Sequence, residues 1–282
     1  MNAVEIEKLS KKYKNFTLNN VSFNIPEGSI MGLIGENGAG KSTIINLMTG
    51  AAVKDGGNIK IYGKNSDELT KTDKSDMGVV LAGCGFPEEL CVNDVNYIMK
   101  SVYNKWDSNK FFNYADNFYL DRKSKIKTFS TGMKMKLEIA IALSHEARLL
   151  VLDEVTNGLD PSARMEILDM LLEFIQAEDR AVLLSSHIIG DLEKICDYIT
   201  FIHKGEIIFS ENKDDLLEKY AVINADTDRI RELDEKAVIA LDKKSFSSSA
   251  LVYRNLIPDS FETEKTTIED IMLYYLKRGE KQ

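Results

Sequence analysis

The run Gly35, Glu36, Asn37, Gly38, Ala39, Gly40, Lys41, Ser42 and Thr43 is where residue type and spacing point most directly to chemistry. Its glycines let the backbone curl with N–H groups pointing inward, which makes a concave anion site. A helix beginning near Lys41 adds its positive dipole end to the same spot. Lys41 can then reach the β and γ phosphates of a nucleoside triphosphate, and the Ser42 hydroxyl can hold Mg²⁺. The segment follows the apolar run Ile30-Met31-Gly32-Leu33-Ile34, so strand, glycine loop and helix start come in the order that a phosphate cradle needs.

Two further runs end in groups suited to the same ligand. Leu149-Leu150-Val151-Leu152-Asp153-Glu154 reads as a strand buried on both faces whose carboxyl end opens on a ligand crevice. Asp153 is expected to hold the Mg²⁺ shell, and Glu154 to orient and deprotonate the water that attacks the γ-phosphate. Ala181-Val182-Leu183-Leu184-Ser185-Ser186 is a second buried-type strand and ends at His187, within reach of that phosphate. Lys41, Glu154 and His187 thus form the expected catalytic group. His145 and His203 are too scattered in sequence to suggest a zinc site.

Between these motifs lies Phe129-Ser130-Thr131-Gly132-Met133-Lys134, which opens a helix-type stretch running to about Ser144. It resembles the signature of the ATP-binding cassette (ABC) family, usually Leu-Ser-Gly-Gly-Gln. Ser130 and Gly132 match that form; Phe129, Thr131 and Met133 depart from it. A serine hydroxyl and a helix N-terminus still make a second anion-binding end. The resemblance implies that this end, Ser130 to Met133, closes on ATP held by another subunit, so that catalysis requires a dimer. Tyr13, in Lys-Lys-Tyr-Lys-Asn-Phe, resembles the aromatic that stacks on adenine in these ATPases. Asn157-Gly158-Leu159-Asp160 resembles the loop that crosses to the partner, while Asp160-Pro161 also reads as a helix cap followed by proline at the first helical position. The family usually places a glutamine that senses Mg²⁺ and the membrane partner between residues 78 and 87. This chain has none there, and Ala82 or Gly83 stands at the expected position. Val155 and Thr156 follow Glu154 where the family commonly has proline.

The chain has 282 residues, enough to bury a full core, and a net charge of −9, which argues against general nucleic-acid binding. Cys84, Cys91 and Cys196 are odd in number and lack metal or redox spacing, so they are expected as reduced thiols. No apolar run approaches the roughly 18 residues of a membrane span, and the N-terminus lacks the pattern of a signal peptide. The protein is therefore expected to be cytoplasmic, and peripheral on the cytoplasmic face of the cell membrane if it works with a membrane subunit.

Strand-like runs fall at residues 4–9, 17–25, 29–34 and 58–62 and near 79, 149 and 181, while residues 88–145 read as mostly helical, with Phe86-Pro87 as a hinge at the entrance. A hairpin around Lys204-Gly205 gives His203 a structural explanation. After about Tyr220 come a charge-dense stretch, strand-like pieces at 237–241 and 250–253, and a final helix. Thr266 and Glu269 fit a capping box there, and Ile268, Ile271, Met272, Tyr275 and Leu276 form a stripe expected to pack on the appendage's own strands. The expected class is α/β. With the resemblance it becomes a P-loop NTPase with an ABC-type core over residues 1–220, comprising a RecA-like sheet, an antiparallel β subdomain and a helical subdomain. A small α+β appendage follows over 221–282.

By resemblance, the chain is the ATP-binding and hydrolysing subunit of a bacterial exporter, similar to ATPases that pair with separate membrane subunits to expel antibiotics, lantibiotics or toxin peptides. ATP and Mg²⁺ are the implied cofactors. The implied partners are a second ABC ATPase subunit, identical or not, and an integral membrane permease. An importer ATPase, or a soluble ABC ATPase of cofactor assembly or regulation, is the alternative.

Overall fold

The computed structural model describes residues 1–81, 85–243 and 248–279. Ala82 and Gly83, at the position expected for the family glutamine, lie outside the described residues, as does Cys84.

The chain opens with β1 (Asn2–Lys12) and β2 (Thr17–Pro26) and continues through β3 (Ser29–Ile34) into α1 (Lys41–Thr49). Then come β4 (Gly56–Ile61), β5 (Lys64–Asn65), the short α2 (Lys71–Ser75) and β6 (Met77–Val80). Three helices follow, α3 (Val92–Val102), α4 (Ser108–Asn117) and α5 (Thr131–Ala142). The chain then alternates through β7 (Leu149–Asp153), α6 (Pro161–Phe174), β8 (Ala181–Ser185) and α7 (Ile189–Ile195), and makes the hairpin β9 (Tyr198–His203) and β10 (Glu206–Asn212). Helix α8 (Lys213–Lys219) leads to β11 (Tyr220–Ala225), α9 (Thr227–Arg231), β12 (Val238–Lys243), β13 (Ser248–Tyr253), β14 (Thr263–Glu264) and α10 (Ile268–Gly279).

The burial pattern of each strand follows from its place. β2 alternates buried and exposed residues and lies in an antiparallel sheet of order β2-β1-β4-β5. β3, β7 and β8 are buried throughout, as strands covered on both faces must be. They lie in a six-stranded sheet of order β10-β9-β3-β8-β7-β6, parallel except for β10. Along β3 the side chains alternate between two cores. Ile30 and Ile34 join Leu150, Val182, Ile167 and Leu192 on one face, while Met31 and Leu33 join Ile44 and, from the antiparallel sheet, Ile6 and Leu9 on the other. α3, α4 and α5 share a further core around Val95, Phe111, Ala115 and Leu137.

The last sheet has the order β12-β13-β11-β14. The apolar stripe of α10 faces β12 and β13 and also reaches α7. Its cap differs from expectation by one residue: Thr267, not Thr266, exchanges hydrogen bonds with Asp270, not Glu269. The Thr266 hydroxyl instead accepts the Val222 N–H at 3.1 Å.

Candidate functional site

The carboxyl ends of β3, β7 and β8 open on one crevice, with β3 between β8 and β9. Gly35 leaves β3 where a Cβ would meet the Ile202 carbonyl oxygen at 2.4 Å, so only glycine fits. Gly40 has φ of 120° and touches Phe16, and α1 starts at the next residue. Lys41 is therefore aimed back along the loop. Its Nζ donates to Gly35 O at 2.8 Å and to Glu36 O at 3.3 Å, and the residue is only 5% exposed.

The same amine lies 3.5 Å from Glu154 Oε1, and the other Glu154 oxygen lies 3.5 Å from His187 Nδ1. The three residues expected to be catalytic thus meet at one carboxylate. Glu154 reaches that position with φ of +54°, a left-handed conformation costing about 1–2 kcal/mol for a residue with a Cβ. Its N–H is held by Ser185 O at 3.1 Å and Ser185 Oγ at 3.0 Å. Asp153, also buried, accepts a hydrogen bond from Ser185 Oγ at 2.5 Å.

An open cavity of about 390 Å³ is lined by Tyr13, Phe16, Asn37, Gly38, Gly40, Lys41, Ser42, Thr43 and Glu154. Phe16 is an addition to the expected residues, and the motif around Tyr13 already contained it. Glu36 and Ala39 make contacts with the β9–β10 hairpin. Glu36 Oε2 lies 3.2 Å from His203 Nδ1, and Ala39 O accepts the Gly205 N–H at 2.9 Å. The hydrogen bond from Gly205 ties the phosphate loop to the hairpin, and His203 Nδ1 stands beside Glu36 without hydrogen-bonding to it.

The expected signature residues do not line that cavity. Ser130 and Thr131 are exposed, Gly132 and Met133 half-buried, and Ser130 Oγ caps α5 by accepting the Met133 N–H at 3.2 Å. A Cβ on Gly132 would lie 3.1 Å from Leu159, so the signature end touches the Asn157–Asp160 loop. Asp160 is exposed and caps α6, accepting the Ser162 and Ala163 N–H groups at 3.0 Å, and these donors hold its carboxyl below the usual range.

Ser42 and Asp153 offer hard oxygen donors, as Mg²⁺ requires. Among the described residues no cluster of three or more His, Cys, Asp or Glu could hold a metal by itself. Mg²⁺ commonly takes one or two protein ligands and completes its shell with phosphate and water, so this donor set fits an ion arriving with a nucleotide.

Residues 18–157 match the family model described as ABC transporter. SrtF of Streptococcus pyogenes, a lantibiotic transport ATP-binding protein, is 36% identical over 214 residues, which cover 75% of this chain and 91% of that one. The chain belongs to the ABC transporter family. BcrA of Enterococcus faecalis, a bacitracin transport ATP-binding protein, is 31% identical to this ABC ATPase over 217 residues, 76% of this chain and 70% of the relative. A solved ATP-binding subunit of an ABC transporter superposes with a TM-score of 0.69 at 28% identity, covering 76% of this chain and 91% of the other. The fold is thus the ABC-type P-loop core expected from sequence, and the protein is an ATP-binding ATPase of that family. Tyr13, Asp160 and His187 fall outside the span of the family match, so their location rests on geometry. Among the described residues no helix is long and apolar enough to cross a membrane.

Proposed function

We propose that this ABC ATPase powers export of a peptide antibiotic or another amphipathic substrate through a separate membrane permease. The observation that carries the hydrolytic part is the Glu154 carboxylate, one oxygen 3.5 Å from Lys41 and the other 3.5 Å from His187. The export class is supported by the relatives' roles in lantibiotic and bacitracin transport.

ATP enters the cavity with adenine against Tyr13 and Phe16 and its phosphates in the loop from Gly35 to Thr43. Lys41 exchanges its carbonyl partners for phosphate oxygens, which frees Glu154 to take a proton from the attacking water. His187 holds Glu154 and the γ-phosphate in register. Ser42 and Asp153 would hold Mg²⁺, which would supply neutralisation of phosphate charge. Ser130 to Met133 face the γ-phosphate bound by a second subunit, and the loop ending at Asp160 crosses to it. That γ-phosphate bridges two chains before cleavage and cannot afterwards, which gives closure and reopening their driving difference. The working parts are an ATPase over residues 1–220, with a helical subdomain over 88–145 facing the permease, and an appendage over 221–282. The assembly sits on the cytoplasmic face of the membrane.

The test is purification of tagged Glu154→Gln protein from native membranes, with and without Mg-ATP. A polytopic membrane protein at fixed stoichiometry is expected. Recovery of a soluble partner, or of a self-dimer alone, would overturn the transport reading.

A further inference from the structure

Behind the site, Arg164 and Asp191 face each other across α6 and α7. Arg164 lies one turn into α6, and its N–H donates to Asp160 O at 3.0 Å. Asp191 lies one turn beyond His187, with its side chain only 7% exposed. Arg164 Nη1 stands 3.7 Å from Asp191 Oδ2, too far for a hydrogen bond, and both Arg164 Nε and Asp191 Oδ2 are buried without a hydrogen-bond partner.

Such a pair is a poor source of stability. Asp191 is buried and Arg164 a quarter exposed, and a pair largely withdrawn from water with no hydrogen bond between its members is commonly matched or exceeded by apolar side chains of similar volume. Its location is more informative. Upstream, Leu159 lies against Gly132, and Lys136 of α5 pairs with Glu166 of α6 at 2.8 Å, so a shift of the signature helix or the crossing loop is felt by α6. Downstream, α7 starts two residues after His187, whose Nδ1 stands 3.5 Å from Glu154.

We propose that the contact between Arg164 and Asp191 is a positioning device: it couples the loop at Asp160 to the orientation of His187 against Glu154. The inference rests on the roles proposed above for Asp160 and His187. Closing the pair by about half an ångström turns a loose contact into a charge-assisted hydrogen bond. In the proposal the open contact seen here and a closed, hydrogen-bonded one are the two arrangements that coupling between sites requires. Arrival of a partner at the crossing loop draws α6 in, Arg164 engages Asp191, and α7 carries His187 toward the carboxylate. Arg164 and Asp191 never touch the nucleotide.

The test replaces the pair by apolar residues of similar size, Arg164→Met with Asp191→Leu, in the full-length chain. The expected result is a thermal midpoint equal to or above wild type, ATP affinity within about twofold, and turnover at saturating ATP lowered about 3- to 30-fold. Arg164→Lys, which keeps the charge, should retain most of the turnover. Where the apolar pair does not fold, Asp191→Asn is assayed well below its own thermal midpoint, which should fall because Arg164 is left unpaired; turnover at saturating ATP should then drop by the same factor with ATP affinity kept, and wild-type turnover overturns the proposal. A loss of turnover that follows a fall in thermal midpoint, or wild-type turnover in the apolar pair, overturns the proposal. His187→Ala run in parallel separates the two levels: if it is inactive while the apolar pair is fully active, only the coupling fails. If His187→Ala turns over normally, the reading of His187 fails and the coupling with it.

Discussion

Ser185 Oγ donates to Asp153 Oδ1 at 2.5 Å across the register of two parallel strands, and the same oxygen accepts the N–H of Glu154 at 3.0 Å. One buried hydroxyl thus fixes both acids of the site. Ser185→Ala is expected to cost about 1–3 kcal/mol of stability, because the buried carboxylate loses a donor. It should also raise the Mg²⁺ concentration needed for half-maximal turnover. Chemical denaturation and a Mg²⁺ titration check the two effects, and an unchanged Mg²⁺ requirement would detach Asp153 from the metal.

Glu154→Gln keeps the size of the side chain and removes its basicity. Turnover should fall by about 10²- to 10⁴-fold, the usual worth of a general base. ATP binding should persist, and a nucleotide-bound dimer should accumulate in light scattering. Normal turnover would exclude Glu154 as the base.

Lys41→Ala removes the amine that joins Gly35 O, Glu36 O and Glu154 in the free protein. ATP affinity should fall about 10- to 100-fold, as expected for loss of charge-assisted bonds to phosphate. Equilibrium binding of a fluorescent ATP analogue measures it. Affinity at the wild-type level would move the phosphate site elsewhere.

Tyr13→Ala and Phe16→Ala should each weaken ATP binding about 5- to 100-fold through lost base stacking. Inorganic tripolyphosphate, which has no base, should bind both variants as it binds the wild type. Equal losses for both ligands would make the two rings structural supports of the loop.

His145 predicts an acid sensitivity. The ring is buried and stacked on Tyr103 at 4.0 Å; its Nδ1 donates to Ser75 O at 3.0 Å, which leaves Nε2 buried and unpartnered. Burial pushes the imidazole below its ordinary value of 6.5, against the opposing effects of the Ser75 carbonyl and Asp76. The unfolded chain therefore takes up a proton that the folded chain resists, and stability should fall as pH drops below about 6.5. Thermal midpoints of wild type and His145→Gln at pH 7.5 and 5.5 isolate this contribution. An equal decline in both would assign the sensitivity to other groups.

Features written in short spacings were legible before the fold was known. Strand, glycine loop and helix start are contiguous from Ile30 to Thr43, and Asp160-Pro161 encodes its own cap. The unread features depend on partners far along the chain. Ser185 meets Asp153 only through the register of β7 with β8, and Glu36 meets His203 only because β9 lies beside β3. The cap of α10 is instructive, since Thr266 with Glu269 and Thr267 with Asp270 satisfy the pattern equally well. Val222 decides between them by engaging the Thr266 hydroxyl from a neighbouring strand, and no local rule contains that information.

The proposed tail, from Tyr220 onward, packs directly on the central sheet and α7. Tyr220, Val222, Ile239, Ile268 and Ile271 belong to the same buried cluster as Val182, Leu192 and Phe201. The Tyr220 and Tyr275 hydroxyls meet at 2.9 Å, the Tyr275 ring lies against Phe209, and Glu193 of α7 accepts the Ile268 N–H at 2.6 Å. Among the described residues these contacts run unbroken from the central sheet to α10, so the tail is expected to melt together with the nucleotide machinery rather than before it. Heat should abolish both in one cooperative transition, with loss of ATP binding and loss of tail structure coinciding.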